Sequence, residues 1–164
     1  MDIKRDSIYN GLLELEKHFS ASDTIIIHDG NRPLISQKTI SEGLSVFSNF
    51  GSAVAFIPCT EVVFLSDDNI TPNDEIPREK LMRTQTPHIF NLGKLLRGYE
   101  RAETENKKYS AACSLMKDLN EKIALFSGSE INMKITTIED LDIFRALITL
   151  PERKDLFRGM MTLM

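Results

Sequence analysis

The chain has 164 residues, 41% apolar and 27% charged, with a formal net charge of −4. That length and balance fit one globular domain, residues 1–164, with its own core. Net acidity argues against broad nucleic-acid binding while leaving room for a locally basic pocket, and no apolar run approaches the length of a membrane span.

The opening MDIKRDS has no apolar signal region, and Cys59 and Cys113 lack metal-ligand spacing. The expectation is a reduced, cytoplasmic protein. Ile8, Leu12, Leu15 and Phe19 share one face of a helix over 7–19, with Asp6 or Ser7 as its cap. Thr24 to His28 reads as a short buried strand. Ser36 caps a second helix carrying Ile40, Leu44 and Phe47, Gly51 ends it, and Ala53 to Ile57 is the next strand, closed by Pro58. Helix, strand, helix, strand predicts an α/β fold with a parallel sheet. From 59 to 87 the pattern changes. Val62 to Leu65 is a strand, SDDN at 66–69 is turn chemistry, and Pro72 and Pro77 argue against a central strand. This stretch reads as a projecting β-arm with a loose hairpin. Helices follow near 91–103 and 109–119, then a strand over 122–126 and a short edge element over 133–135. Thr136 with Glu139 gives a capping box for a helix carrying Ile138, Leu141, Phe144 and Ile148, ended by Pro151. The last dozen residues add a short helix or fray.

Chemistry gathers in three places. Asp29 stands just past a buried strand, where open α/β sheets bind ligands. A hard carboxylate there suits Mg²⁺, Gly30 permits close approach, and Arg32 offers a planar fork for phosphate or carboxylate. The competing reading is an Asp–Arg surface pair at a tight turn. Lys134 precedes a helix N-terminus, which makes either an anion site or a solvated lysine. Arg78, Arg83 and the Thr86–Pro87 turn supply charge and a hydroxyl from the arm, or simple surface charge. His28 reads as a packed or hydrogen-bonded strand-end residue, and His18 and His88 as surface. No nucleophile elbow or metalloprotease motif occurs in the sequence.

Taken together and in this order, RDSIYNGL, IIIHDGNRPLIS, QTPHIF and NMKITTIEDL resemble the 2-C-methyl-D-erythritol 4-phosphate cytidylyltransferases and the related ribitol-5-phosphate cytidylyltransferases of wall polymer synthesis. The resemblance runs from about Lys4 to about Ile148. It implies a Rossmann-like nucleotidyltransferase sheet and transfer of CMP from CTP to a polyol phosphate, releasing pyrophosphate. Methylerythritol phosphate, on the route to isoprenoids, is the first acceptor and ribitol phosphate the second. It further implies that Asp29 binds Mg²⁺ and the α-phosphate region, that Arg32 supports it and the acceptor, and that Lys134 stabilises the pentavalent phosphorus. Ser7 matches a cytidine-contacting serine. Arg78 matches an arginine that the arm donates to the acceptor phosphate of a neighbouring subunit, and Thr86 lies beside that acceptor. A homodimer clasped through the arm follows.

The departures are specific. The family's first strand and its loop of the type L-x-A-G-x-G-x-R-M have no match here, so the expected sheet is shortened at its N-terminal side. Pro58-Cys59-Thr60-Glu61-Val62 stands where the family has P-x-x-D-T, and Tyr109-Ser110 stands for T-D. The alternatives are a non-catalytic chain, or a half-subunit that needs a separate nucleotide-binding piece, and a generic sugar-phosphate-binding module. A sheet missing a central strand exposes apolar edge, which predicts either an oligomer that uses that surface or poor behaviour alone.

Overall fold

The structure is a computed structural model that describes the backbone of residues 3–150 and the side chains of residues 7–150. Its main sheet has four strands. β1 (Thr24–Ile27), β2 (Ala53–Pro58) and β6 (Leu125–Ser127) run in one direction, and β5 (Met82–Asn91) runs against them between β1 and β2, giving the order β1-β5-β2-β6. β3 (Val63–Leu65) and β4 (Asp74–Ile76) form a separate two-stranded ribbon.

Period-two alternation divides the core between the two faces. On one face Val54 and Phe90 join Leu12, Leu92, Leu95 and Leu115, under α1 (Ile3–Glu16), α3 (Leu92–Thr104) and α4 (Ala112–Asp118). On the other, Ala53, Ala55, Ile89 and Phe126 meet Val46 and Phe47 of α2 (Gln37–Phe50). Helices on both faces make an α/β/α stack of the kind expected for the α/β class. α3 buries Leu92, Leu95, Leu96, Tyr99 and Ala102, one helical face. α2 begins and ends where its caps dictate. Ser36 Oγ accepts the Thr39 N–H at 3.0 Å, and Gly51, at φ 73°, donates its N–H to the Phe47 carbonyl at 2.7 Å.

The structure corrects several expectations. β5 occupies 82–91, so the last part of the segment read as arm is instead the central strand of the main sheet. Pro87 survives there because the register with β2 slips between Val54, opposite His88, and Ala55, opposite Gln85. Thr86 and Pro87 fall in that bulge, where the proline's missing N–H breaks no ladder bond; their peptide bond is cis. Helix α1 starts before Ser7, which therefore lies inside it rather than capping it. Leu15 and Phe19 are exposed, and the face that packs carries Ile8, Tyr9, Leu12 and Leu13. Residues 133–135 form no strand. α5 (Ile138–Thr149) is capped one residue later than expected, by Thr137 with Asp140, because the Asp140 carboxylate collects the N–H groups of both Thr136 and Thr137. The sequence after Pro151 lies outside the described residues. Among those described, no helix is long and apolar enough to cross a membrane.

Gly43 lets α2 approach the sheet. A Cβ there would sit 2.7 Å from Phe126 Cζ and 2.8 Å from Ile89 Cδ1, both on buried side chains. Gly43→Val should cost about 1–3 kcal/mol by overpacking, read as a lower urea midpoint with an unchanged slope.

Candidate active site

The strand β1 stops at Ile27 and the chain turns through His28 to Arg32 at the carboxyl end of the sheet. Arg32 N–H closes the turn on the Asp29 carbonyl at 3.0 Å. The segment after β6 is tied to the same place. Asn31 Nδ2 donates to the Ile135 carbonyl at 2.9 Å, and the Ile135 N–H returns to the Asn31 carbonyl at 2.8 Å. Arg32 Nη1 donates to the Asn132 carbonyl at 2.8 Å. Residues 132 and 135 are thus both anchored to the turn, and Lys134 between them is delivered to Asp29.

The result is a compact charge cluster. Lys134 Nζ lies 2.8 Å and Arg32 Nε 3.2 Å from the same oxygen, Asp29 Oδ2. Burial alone would raise the Asp29 pKa, but the Lys134 ammonium and the Arg32 guanidinium outweigh it and hold the carboxyl below its usual value. Two cations against one carboxylate leave a local positive charge within an acidic chain. Such a site attracts phosphate.

A cavity of about 510 Å³ opens over this cluster. Ser7, Asp29, Arg32, Thr86 and Lys134 all line it, so the fold brings together five of the six residues singled out from sequence. Arg78 is elsewhere. It sits in a one-turn 3₁₀ helix beside the ribbon, its Nη1 donates to the Thr60 carbonyl at 3.2 Å, and it borders a separate depression with Val62 and Glu75. Arg83 pairs with Glu130 at an exposed position. Tyr109 and Ser110, where the family has T-D, also line the main cavity.

Sequence reasoning missed the residues that hold the cluster. Asn132 is 1% exposed and donates from Nδ2 to the Thr86 carbonyl at 2.8 Å. Its Oδ1 is buried and has no hydrogen-bond partner among the described residues, and flipping the amide would set that oxygen against the Thr86 carbonyl. Gln85 clamps the loop after β6 by donating to the Ser129 carbonyl and accepting the Ser129 N–H, at 2.9 and 3.1 Å. A Cβ on Gly128 would meet Gln85 Oε1 at 2.5 Å and the Phe56 carbonyl at 3.1 Å, so a side chain there would disturb the Gln85 clamp. These residues stood inside or beside the quoted motifs, but only the pairing of distant segments reveals their partners. His88, read as surface, is 4% exposed on β5 and lines the cavity.

With the geometry in place, the comparisons are direct. The family described as IspD, 2-C-methyl-D-erythritol 4-phosphate cytidylyltransferase, matches residues 2–150. The chain belongs to this family. A 2-C-methyl-D-erythritol 4-phosphate cytidylyltransferase of Alkaliphilus oremlandii is 30% identical over 145 residues, 88% of this chain and 60% of that protein. A ribitol-5-phosphate cytidylyltransferase of Vibrio parahaemolyticus is 32% identical over 156 residues, 93% of this chain and 65% of that protein. This chain therefore spans roughly three-fifths to two-thirds of these relatives. The crystal structure of 2-C-methyl-D-erythritol 4-phosphate cytidylyltransferase from Thermus thermophilus superposes with a TM-score of 0.79 at 24% identity, covering 89% of this chain and 69% of that one. The fold is that of these nucleotidyltransferases.

Burial pushes the His88 imidazole from 6.5 down to about 4; the Asp29 carboxylate opposes the shift and the Arg32 guanidinium adds to it. The unfolded chain binds this proton below about pH 6.5, whereas the folded chain binds it only near pH 4. Stability should therefore decline as pH falls from about 6.5 towards 4, by up to about 3 kcal/mol from this residue. Urea midpoints measured across that window should slope less in His88→Gln; an equal slope would place the titration on another group.

Proposed function

We propose that the chain is a cytoplasmic cytidylyltransferase that moves CMP from CTP to a polyol phosphate, 2-C-methyl-D-erythritol 4-phosphate first and ribitol 5-phosphate second. The observation that carries this reading is the convergence of Lys134, Arg32 and Asp29 in one cavity with Ser7. An acceptor phosphate oxygen attacks the α-phosphorus of CTP in line. The new P–O bond forms as the bond to the bridging oxygen of the β-phosphate breaks, and pyrophosphate leaves with the electron pair. Little covalent work falls to the protein, so positioning and charge stabilisation dominate. Lys134 lies where it can neutralise charge growing on the α-phosphoryl oxygens. Arg32 supports Asp29 and the acceptor phosphate, Ser7 contacts the cytidine, and Thr86 borders the acceptor.

Mg²⁺ would be held by Asp29. Among the described residues no three His, Cys, Asp or Glu side chains cluster as a metal site. One carboxylate still fits a magnesium ion whose other ligands are substrate phosphates and water. When bound, the ion supplies charge neutralisation on the triphosphate.

The arm completes the reading. Val62, Phe64, Leu65 and Ile70 stand exposed on or beside the ribbon, Ile70 at 86%. Two subunits clasped through these residues bury them and bring Arg78 of each to the acceptor site of the other. Phe64→Asp combined with Ile70→Asp should convert a dimer to monomer in sedimentation without changing the circular dichroism; an already monomeric parent chain would remove the clasp.

A second reading is a half-subunit that acts with a separate nucleotide-binding piece. β1 stands at the sheet edge with Ile26 43% exposed, and α5 buries none of its residues. One assay separates the two. Pyrophosphate release is followed with CTP, Mg²⁺ and each polyol phosphate in turn. Turnover that falls about 10²–10³-fold in Lys134→Ala supports the enzyme, and the preferred acceptor names the pathway. A folded sample with no turnover on either acceptor supports the half-subunit.

A further inference from the structure

Thr86 Oγ1 lies 3.0 Å from the Asp29 backbone nitrogen and 3.1 Å from His28 Nδ1. The amide can only donate, so the hydroxyl oxygen accepts from Asp29 and keeps its single proton to give to His28 Nδ1. At the other side of the ring, Nε2 is 2.9 Å from the Arg32 carbonyl, which can only accept. Nε2 must carry the proton. Both ends of the imidazole are thus satisfied by the Nε2–H form, and the ring braces the turn from position 28 to position 32. The brace is anchored in the central strand, because the Thr86 carbonyl is itself held by Asn132, whose own carbonyl receives Arg32 Nη1.

We propose that His28, bridging the Thr86 hydroxyl and the Arg32 carbonyl, is a positioning residue that fixes the 28–32 turn so that Asp29 and Arg32 face Lys134 in the productive arrangement. This rests on the transfer reading of the site. It also gives Thr86 a further role: its proton is committed within the protein, and the hydroxyl orients Asp29 through the Asp29 N–H.

The test uses the whole chain. Ring ¹⁵N spectra of labelled histidine should show His28 unprotonated at Nδ1 and protonated at Nε2. Amide exchange of Asp29 should be slow in the parent chain and in Thr86→Ser, and about 10-fold faster in Thr86→Val, which keeps the shape but loses the hydroxyl. The Nδ1–H tautomer, or unchanged exchange in Thr86→Val, would overturn the brace. Both readouts are independent of turnover, so an inactive chain that passes them counts against a self-sufficient enzyme and leaves the brace standing. Where pyrophosphate release is measurable, Thr86→Val and His28→Phe should lower kcat about 10²-fold with little change in KM for CTP, and Thr86→Ser should recover the larger part. Unchanged kcat in Thr86→Val would show that the brace holds the fold and not the chemistry.

Discussion

The site depends on one interruption in one strand. β5 is paired on both sides, and Pro87 lies in it without an amide proton to give. A regular ladder would be broken there. The slip in register opposite Val54 and Ala55 removes Thr86 and Pro87 from pairing with β2, and β1 ends level with His88. Thr86 therefore has its carbonyl and its hydroxyl free for other partners. The carbonyl takes Asn132 and the hydroxyl takes Asp29 and His28. A defect in the sheet thus becomes the point where the β1 turn and the segment after β6 are tied together.

That tie has an electrostatic consequence. Lys134 lies 105 residues beyond Asp29 in the chain, whereas Arg32 is the i+3 neighbour of Asp29, and all three are part-buried. Two cations held close together repel each other, and a common carboxylate oxygen offsets the repulsion. The cluster still keeps its positive excess, which an incoming phosphate can meet. Neighbouring His88 remains neutral at ordinary pH because burial outweighs the attraction of Asp29. The anion site is therefore built from the Arg32 and Lys134 charges and does not depend on protonating His88.

Local signals were read well where they were local. Ser36 and Gly51 bound α2 because a cap oxygen and a left-handed glycine act within a few residues. The strand that ends just before Asp29 is visible as a β-branched run meeting turn chemistry. Lys134 was flagged from its place before a helix, although its partner was not visible. Failures came where distant contacts decide. Pro72 and Pro77 argue for an arm over 59–87 and Thr86–Pro87 reads as a turn, so β5 stays hidden: the bulge that accommodates Pro87 is a property of the pair and not of the strand. His88 looked like a surface residue because nothing in QTPHIF shows that the strand lies at the centre of the sheet. The cap of α5 slipped by one residue because Thr136 and Thr137 both bind Asp140. The anchoring roles of Asn132 and Gln85 were invisible because their partners lie more than forty residues away.

The ribbon obeys a different logic from the body. Two three-residue strands cannot enclose a core, and an isolated two-stranded ribbon is marginal in water. Part of its order is local, since Asp68 gathers the N–H groups of Ile70 and Thr71 and the hydroxyls of Ser66 and Thr71. Turn bonds of this kind fix the loop but bury no apolar surface, and Phe64 and Ile70 stay in solvent. A segment so built gains most when another surface covers it. Arg78 shares that segment, and in the proposed dimer its charge would meet a neighbour's phosphate. Ordering the arm and completing the acceptor site would be one event in that dimer.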